Sequence, residues 1–360
     1  MNGEDRTLIE RLREYGDGKP AKVLAGFDGY VDTLVSPRRS NLRRDDYFEK
    51  LSEFASFVSG KSGKSSDISV TRNDVRVGGN APLFAISAAA KNMDVSLIGA
   101  LGYPKLDPHF EALKGIRMYS VAEPSDTYAL EFSDGKIMLG YTEDLDGITY
   151  ESIKDRVGEE ILKEIISCSS MIHISNWSGL INSNGILEGI FSLMDPSDRK
   201  KIFIDLADPS GRSGEDFKIL LRLLKAAGRD HRLILSFNEK EFSIFSSYVT
   251  GKEHGTERND LEEIMSLCCA SEISVHMLDR AVTMSVDEDY AVVMGSFVEK
   301  PLIVTGGGDY FNGGYALGSV LGLPASQCAR LGNISSYIYV TTGRAADIES
   351  IIQIMERNII

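Results

Sequence analysis

The densest chemical signal in the chain is Thr305-Gly306-Gly307-Gly308-Asp309, which runs into a glycine-rich helical pattern. Three glycines ahead of a helix leave main-chain N–H groups free to converge on one point, and the helix dipole adds positive potential there. Such a point holds an anion. A carboxylate at the start of the same helix can take a proton from an alcohol while those amides stabilise the charge on a phosphoryl group in flight. Read alone, Asp309 fits equally well as the N-cap of its helix after a loose turn.

Three further groups carry chemistry. Gly78-Gly79-Asn80 precedes a helix with Pro82 in its first turn, where proline is tolerated. Asp28 and Asp32 follow the first strand, at the edge where open α/β sheets bind ligands. Carboxylates accept paired hydroxyl donors well, although an Asp at that place also simply turns the chain. Asn238 and Glu241 open another helix; they suit a hydrated hard cation, or a plain capping pair with Asn at the N-cap and Glu three residues on. Gly63-Lys64-Ser65 fails as a phosphate loop, because Val58 stands where the first glycine is needed and the preceding segment is helical in pattern.

The elements that must position these residues alternate. Apolar runs at 22–27, 95–99, 171–175, 202–206, 233–237 and 272–277 predict strands. Helical patterns at 82–92, 151–168, 184–194, 215–227, 239–249 and 258–269 fall between them. That rhythm means βαβ units and a mostly parallel sheet covered on both faces. Residues 66–77 and 115–141 instead alternate at period two around the turn Ser133-Asp134-Gly135, which predicts antiparallel strands. They are expected to form a small lid, with 1–35, 78–114 and 142–360 as the main domain.

Composition narrows the function classes. With 42% hydrophobic residues in 360 the chain builds a large core, and a formal charge of −14 repels nucleic-acid backbones. The basic stretch 37–44 runs into Asp45 and Asp46 and reads as a solvated loop. Four scattered cysteines with no CxxC pair suit a reducing, cytoplasmic compartment. No apolar run approaches the roughly 18 residues of a membrane span. A dehydrogenase is excluded by the missing G-x-G-x-x-G turn after the first strand.

Together the segments resemble the PfkB/ribokinase family of carbohydrate and nucleoside kinases. Residues 303–311 resemble its C-terminal signature, with Ile303 and Val304 where the family has Asp-Thr. Gly78-Gly79-Asn80-Ala81 resembles its N-terminal glycine motif, with Leu83 at a usual Asn and Tyr103 at a usual acidic residue, and Asn238–Glu241 resembles its N-x-x-E motif. The resemblance implies a ribokinase-like doubly wound α/β/α sheet with a small antiparallel β lid, Mg²⁺, and ATP as co-substrate. It implies Asp309 as base and Gly306, Gly307 and Gly308 as anion hole. It also implies Asp32, then Asp28, with Gly78, Gly79 and Asn80 on the substrate, and Glu241 with Asn238 at the metal. Asn238, Thr305, Asn333 and Gly343 are expected near the nucleotide. His276 either faces the nucleotide or is a buried, satisfied histidine. The expected partner is a small sugar or nucleoside, with no nucleic acid and no membrane, and family members pair as homodimers through the lid. The rival expectation is a sugar or nucleoside sensor on the same fold; a nucleoside kinase is the alternative within the kinases.

Overall fold

A computed structural model describes residues 3–252 and 255–359. Among the described residues, thirteen strands form two sheets. In chain order they are β1 (Lys22–Gly26), β2 (Tyr30–Pro37), β3 (Val70–Gly78), β4 (Asp94–Ala100), β5 (Ile116–Ala122), β6 (Ser125–Phe132) and β7 (Gly135–Tyr141). They continue with β8 (Met171–Ile174), β9 (Lys201–Asp205), β10 (Arg232–Asn238), β11 (Glu272–His276), β12 (Arg280–Ser285) and β13 (Ala291–Met294). Nine of them make one sheet in the order β13-β12-β11-β10-β9-β8-β1-β4-β5. It is parallel from β11 to β5, with β12 and β13 added antiparallel at one edge.

Period-two alternation within these strands divides the core between two faces. On β1, Leu24 joins one buried cluster while Val23 and Ala25 join the other; on β10, Leu233 and Leu235 oppose Ile234. The first face is covered by helices Glu159–Cys168, Ser183–Ser192, Gly214–Asp230, Glu239–Thr250 and Arg258–Cys268. The second is covered by Gly3–Gly16, Asn80–Ala90, Gly307–Val320, Ala325–Thr342 and Ile348–Glu356. This is the α/β/α architecture expected. The helix expected over 151–168 is two, Tyr150–Val157 and Glu159–Cys168, because Gly158 turns the chain at φ 91°.

The four-stranded sheet, in the order β3-β2-β6-β7, differs in membership from the lid expected. β5, expected in the lid, pairs parallel with β4 as the edge of the large sheet. β2, expected in the main domain, is instead central in the small sheet, antiparallel to β3 and parallel to β6. The hairpin β6–β7 closes at residues 132–135. One face of this sheet is packed by Phe48 and by Phe54 of helix Leu51–Ser59 against Val35 and Leu130. The other looks onto the carboxyl edge of the large sheet, where Asp32, Thr127 and Gly140 lie side by side in register.

Candidate active site

Three chain segments meet at that edge. The turn after Thr305 starts helix Gly307–Val320 with Gly306 at the N-cap and φ 93°, a left-handed conformation suited to glycine. Helix geometry leaves the first amides of this helix without an internal acceptor, and Tyr310 N–H is the first to bond back, to Gly306 O at 3.0 Å. Asp309 lies in that first turn, buried, with Oδ1 accepting from the Asn80 side-chain amide at 2.9 Å.

Asn80 is itself fixed from below. Helix Asn80–Ala90 has no cap of its own, since Gly79 at its N-cap carries no side chain. Asp28, fully buried, supplies the cap from the end of β1: it accepts from Asn80 N–H at 2.9 Å, Ala81 N–H at 2.8 Å and the Asn176 side chain at 2.7 Å. Asp28 is therefore spent on the protein, and the expectation that it grips substrate is replaced by a role in holding Asn80. Gly78 lies directly behind Asp32, and a Cβ there would meet the Asp32 carboxylate at 2.4 Å.

Two cavities flank the Gly306–Asp309 turn. The first, ≈ 440 Å³, is lined by Asp32, Gly79, Asn80, Leu83, Thr127, Asn176, Thr305, Gly306 and Asp309. The second, ≈ 370 Å³, is lined by Gly307, Gly308, Asn238, His276 and Asn333, together with apolar Leu278, Phe297 and Val304. Successive residues of one turn thus face different cavities, and a group bridging them must pass over those amides. Thr305, expected at the second cavity, lines the first, because its side chain lies ahead of the turn and accepts from Lys136 at 2.7 Å. Gly343 lines neither; at φ 70° it is the C-cap of helix Ala325–Thr342. Asn333 donates to Val293 O at 3.1 Å, and His276 packs on the Phe311 ring, with burial pulling its pKa down to about 4. It is neutral at physiological pH.

Carboxylates gather beneath the turn. Burial and the charge of Asp205 push the Asp309 pKa well above its ordinary value, with Asp28 and Glu241 adding to the effect. Asp205, held by Ala207 N–H and by Asn312 at 2.6 Å, is raised by burial to about 6. Glu241 is raised by burial, then by Asp205, to about 8. A cation is the natural complement to such a group. Among the described residues, however, no three His, Cys, Asp or Glu side chains stand close enough to ligate a metal directly. Glu241 already accepts from the Asn238 N–H at 2.9 Å and side chain at 2.7 Å, as a capping box. The donor set is all oxygen and sits one layer back, which fits a Mg²⁺ that keeps its water.

Sequence reasoning missed Asn176, Thr127, Lys136 and Asn312. Asn176 carried a usable signal, a polar residue just beyond a strand at the carboxyl edge; Thr127 and Lys136 are placed only by sheet register. No helix among the described residues is long and apolar enough to cross a membrane.

Known proteins resemble the chain in sequence and in fold. The family model for prokaryotic ketohexokinase matches residues 10–358. A protein named ketohexokinase from Haloferax volcanii is 27% identical over 348 residues, covering 93% of this chain and 90% of that protein. The fold is similar to adenosine kinase from Sinorhizobium meliloti, with TM-score 0.68, 14% identity and coverage of 95% and 100% of the two chains. It is also similar to Arabidopsis thaliana ribokinase, solved with ribose and ATP, with TM-score 0.64, 15% identity and coverage of 94% and 99%.

Proposed function

The chain belongs to the prokaryotic ketohexokinase family and is a PfkB-type carbohydrate kinase; from that premise we propose that it moves the terminal phosphoryl group of ATP to a primary hydroxyl of a ketohexose, with Asp309 as base. The observation that carries the reading is the turn shared by the two cavities, with Asp309 facing one and Gly307 and Gly308 the other.

In this reading the sugar sits in the first cavity, its hydroxyls accepted by Asp32 and met by Asn80, Asn176 and Thr127. The nucleotide occupies the second, its terminal phosphate over the Gly306–Asp309 amides. Asn80 holds Asp309 Oδ1, leaving Oδ2 for the acceptor proton. As that proton moves to Asp309, the alcohol oxygen bonds to the terminal phosphorus, the bond to the bridging oxygen breaks, and ADP leaves. Burial and the charge of Asp205 raise the Asp309 pKa, which makes it a better proton acceptor than an ordinary carboxylate. Asp205 and Glu241 would hold a Mg²⁺ through its water shell, and the ion would supply positive charge against the phosphates. Two chains pair through the outer lid face, a reading supported by exposed Tyr128, Leu139 and Tyr141.

The test is a coupled assay with ATP across ketohexoses, aldoses and nucleosides. The expected result is highest kcat/KM for a ketohexose, and a loss of about 10²–10⁴-fold in kcat for Asp309→Asn with sugar affinity within a few-fold. An Asp309→Asn variant with full turnover overturns the assignment. Sugar binding by the native protein without transfer to any acceptor favours the sensor.

A further inference from the structure

Lys136 is a lid cation in direct contact with the segment that carries the anion turn. It lies on β7 and donates to Thr305 Oγ1 at 2.7 Å, across 169 residues of sequence. Thr305 immediately precedes Gly306, and its carbonyl accepts from the Tyr339 hydroxyl at 3.0 Å. Tyr339 is in turn locked against Tyr310, with ring centroids 3.6 Å apart and planes 6° from parallel. Because a trans peptide is planar with its C=O and N–H opposed, fixing the Thr305 carbonyl toward Tyr339 turns the Gly306 N–H the other way. Thr305 therefore sets the direction of the first amide of the turn, and it is held at two points, one from helix Ala325–Thr342 and one from the lid.

The lid end of this contact is tied to the acceptor side. Lys136 pairs with Glu131 on β6, and β6 also carries Thr127, which stands beside Asp32 of β2. Lys136 and Gly140 are four positions apart on β7, so both lie on the face that bears Asp32. The hairpin tip is anchored as well, since Asp134 accepts from the backbone of Leu51 and Ser52 at the start of helix Leu51–Ser59. A sugar gripped by Asp32 thus fixes the sheet from which Lys136 reaches Thr305.

Resting on the kinase reading above, we propose that Lys136 is a positioning residue that acts through Thr305, seating the anion turn for phosphoryl transfer when the lid is down on the acceptor. The contact couples the sugar-holding sheet to the amides that stabilise the phosphoryl group. It acts mainly on turnover, because Lys136 and Thr305 line no part of the second cavity and the Gly306 amide meets the nucleotide only at its terminal phosphate.

A double-mutant cycle tests this with Lys136→Met, Thr305→Val and the pair, measuring kcat, sugar KM, ATP affinity and melting temperature. Each single variant is expected to lower kcat about 10–100-fold with ATP affinity within twofold and sugar KM within about threefold, on the scale of one lost stabilising contact. The double variant should be no slower than the slower single, because both remove the same contact. Thr305→Ser, which keeps the acceptor oxygen, should recover most of the rate. A Thr305→Val enzyme at native kcat, or losses that multiply in the double variant, overturns the proposal and leaves the kinase reading standing. Failure of the native enzyme to transfer phosphate to any sugar is a different outcome, which sinks the kinase reading and this proposal with it.

Discussion

Glu241 offers the sharpest physical test of the buried carboxylates. Its pKa is raised from 4.5 to about 8, first by burial and then by the charge of Asp205. A carboxylate with a raised folded pKa binds its proton more tightly in the native state than in the unfolded chain. Its contribution is therefore present at low pH and is lost as pH rises from the unfolded value toward about 8. Between pH 5 and 8 that loss amounts to about 4 kcal/mol, at ~1.4 kcal/mol per unit. With an unfolding entropy of about 2.1 cal/mol/K per residue over 360 residues, 1 kcal/mol moves the melting temperature by about 1.3 °C, so the loss is about 5 °C.

The informative comparison is between slopes. Glu241→Gln removes the titration and, like the protonated carboxyl it replaces, offers one carbonyl oxygen to the Asn238 N–H and side chain. The variant should start close to the native protein at pH 5 and then fall less steeply, by about 5 °C less over the range. Scanning calorimetry of both proteins without nucleotide, at five pH values, measures this. Parallel curves would refute the claim that Glu241 is held protonated by burial and by Asp205, and with it the case for a cation beneath the turn.

Other perturbations separate the remaining roles. Asp28→Asn leaves the amides of Asn80 and Ala81 competing for one acceptor, so stability should drop by about 2–4 kcal/mol in urea titration. An unchanged unfolding midpoint would return Asp28 to the substrate. Gly78→Ala places a Cβ against the flexible Asp32 carboxylate; sugar KM should rise at least about tenfold while ATP affinity and melting temperature hold, since displacing a side-chain tip costs little stability. Equal loss for both substrates would show damage to the fold instead. Leu139→Asp, on the exposed outer lid face, should convert a dimer to monomers by light scattering; a native protein already monomeric at micromolar concentration removes the pairing.

The parts of this architecture legible in the sequence are those that depend on near neighbours. All six strands expected from apolar runs occupy the large sheet, because strands buried on both faces need continuous apolar residues. β2 escaped that logic. A register shift between Leu34 and Val35 breaks its alternation, and Val31, Leu34 and Val35 are buried at uneven spacing. β5 was misleading for the opposite reason: as an edge strand of the large sheet it is half exposed and alternates like a lid strand.

The site divides along the same line. Glycine turns before helices announce themselves locally, and Gly79 and Gly306 stand at positive φ where only backbone permissiveness serves. Which carboxylate faces the cleft is a different kind of information. Asp28 and Asp32 are four residues apart and chemically alike, yet one caps a helix that begins 52 residues downstream and the other lines the cavity. What distinguishes them is the missing cap on helix Asn80–Ala90: with glycine at its N-cap, the free amides need an acceptor from elsewhere, and the nearest buried carboxylate is consumed. The same accounting explains Thr305, whose neighbours Lys136 and Tyr339 lie 169 residues before it and 34 after it. Site residues fixed by long-range hydrogen bonds become readable only when every buried donor near them has been assigned its acceptor.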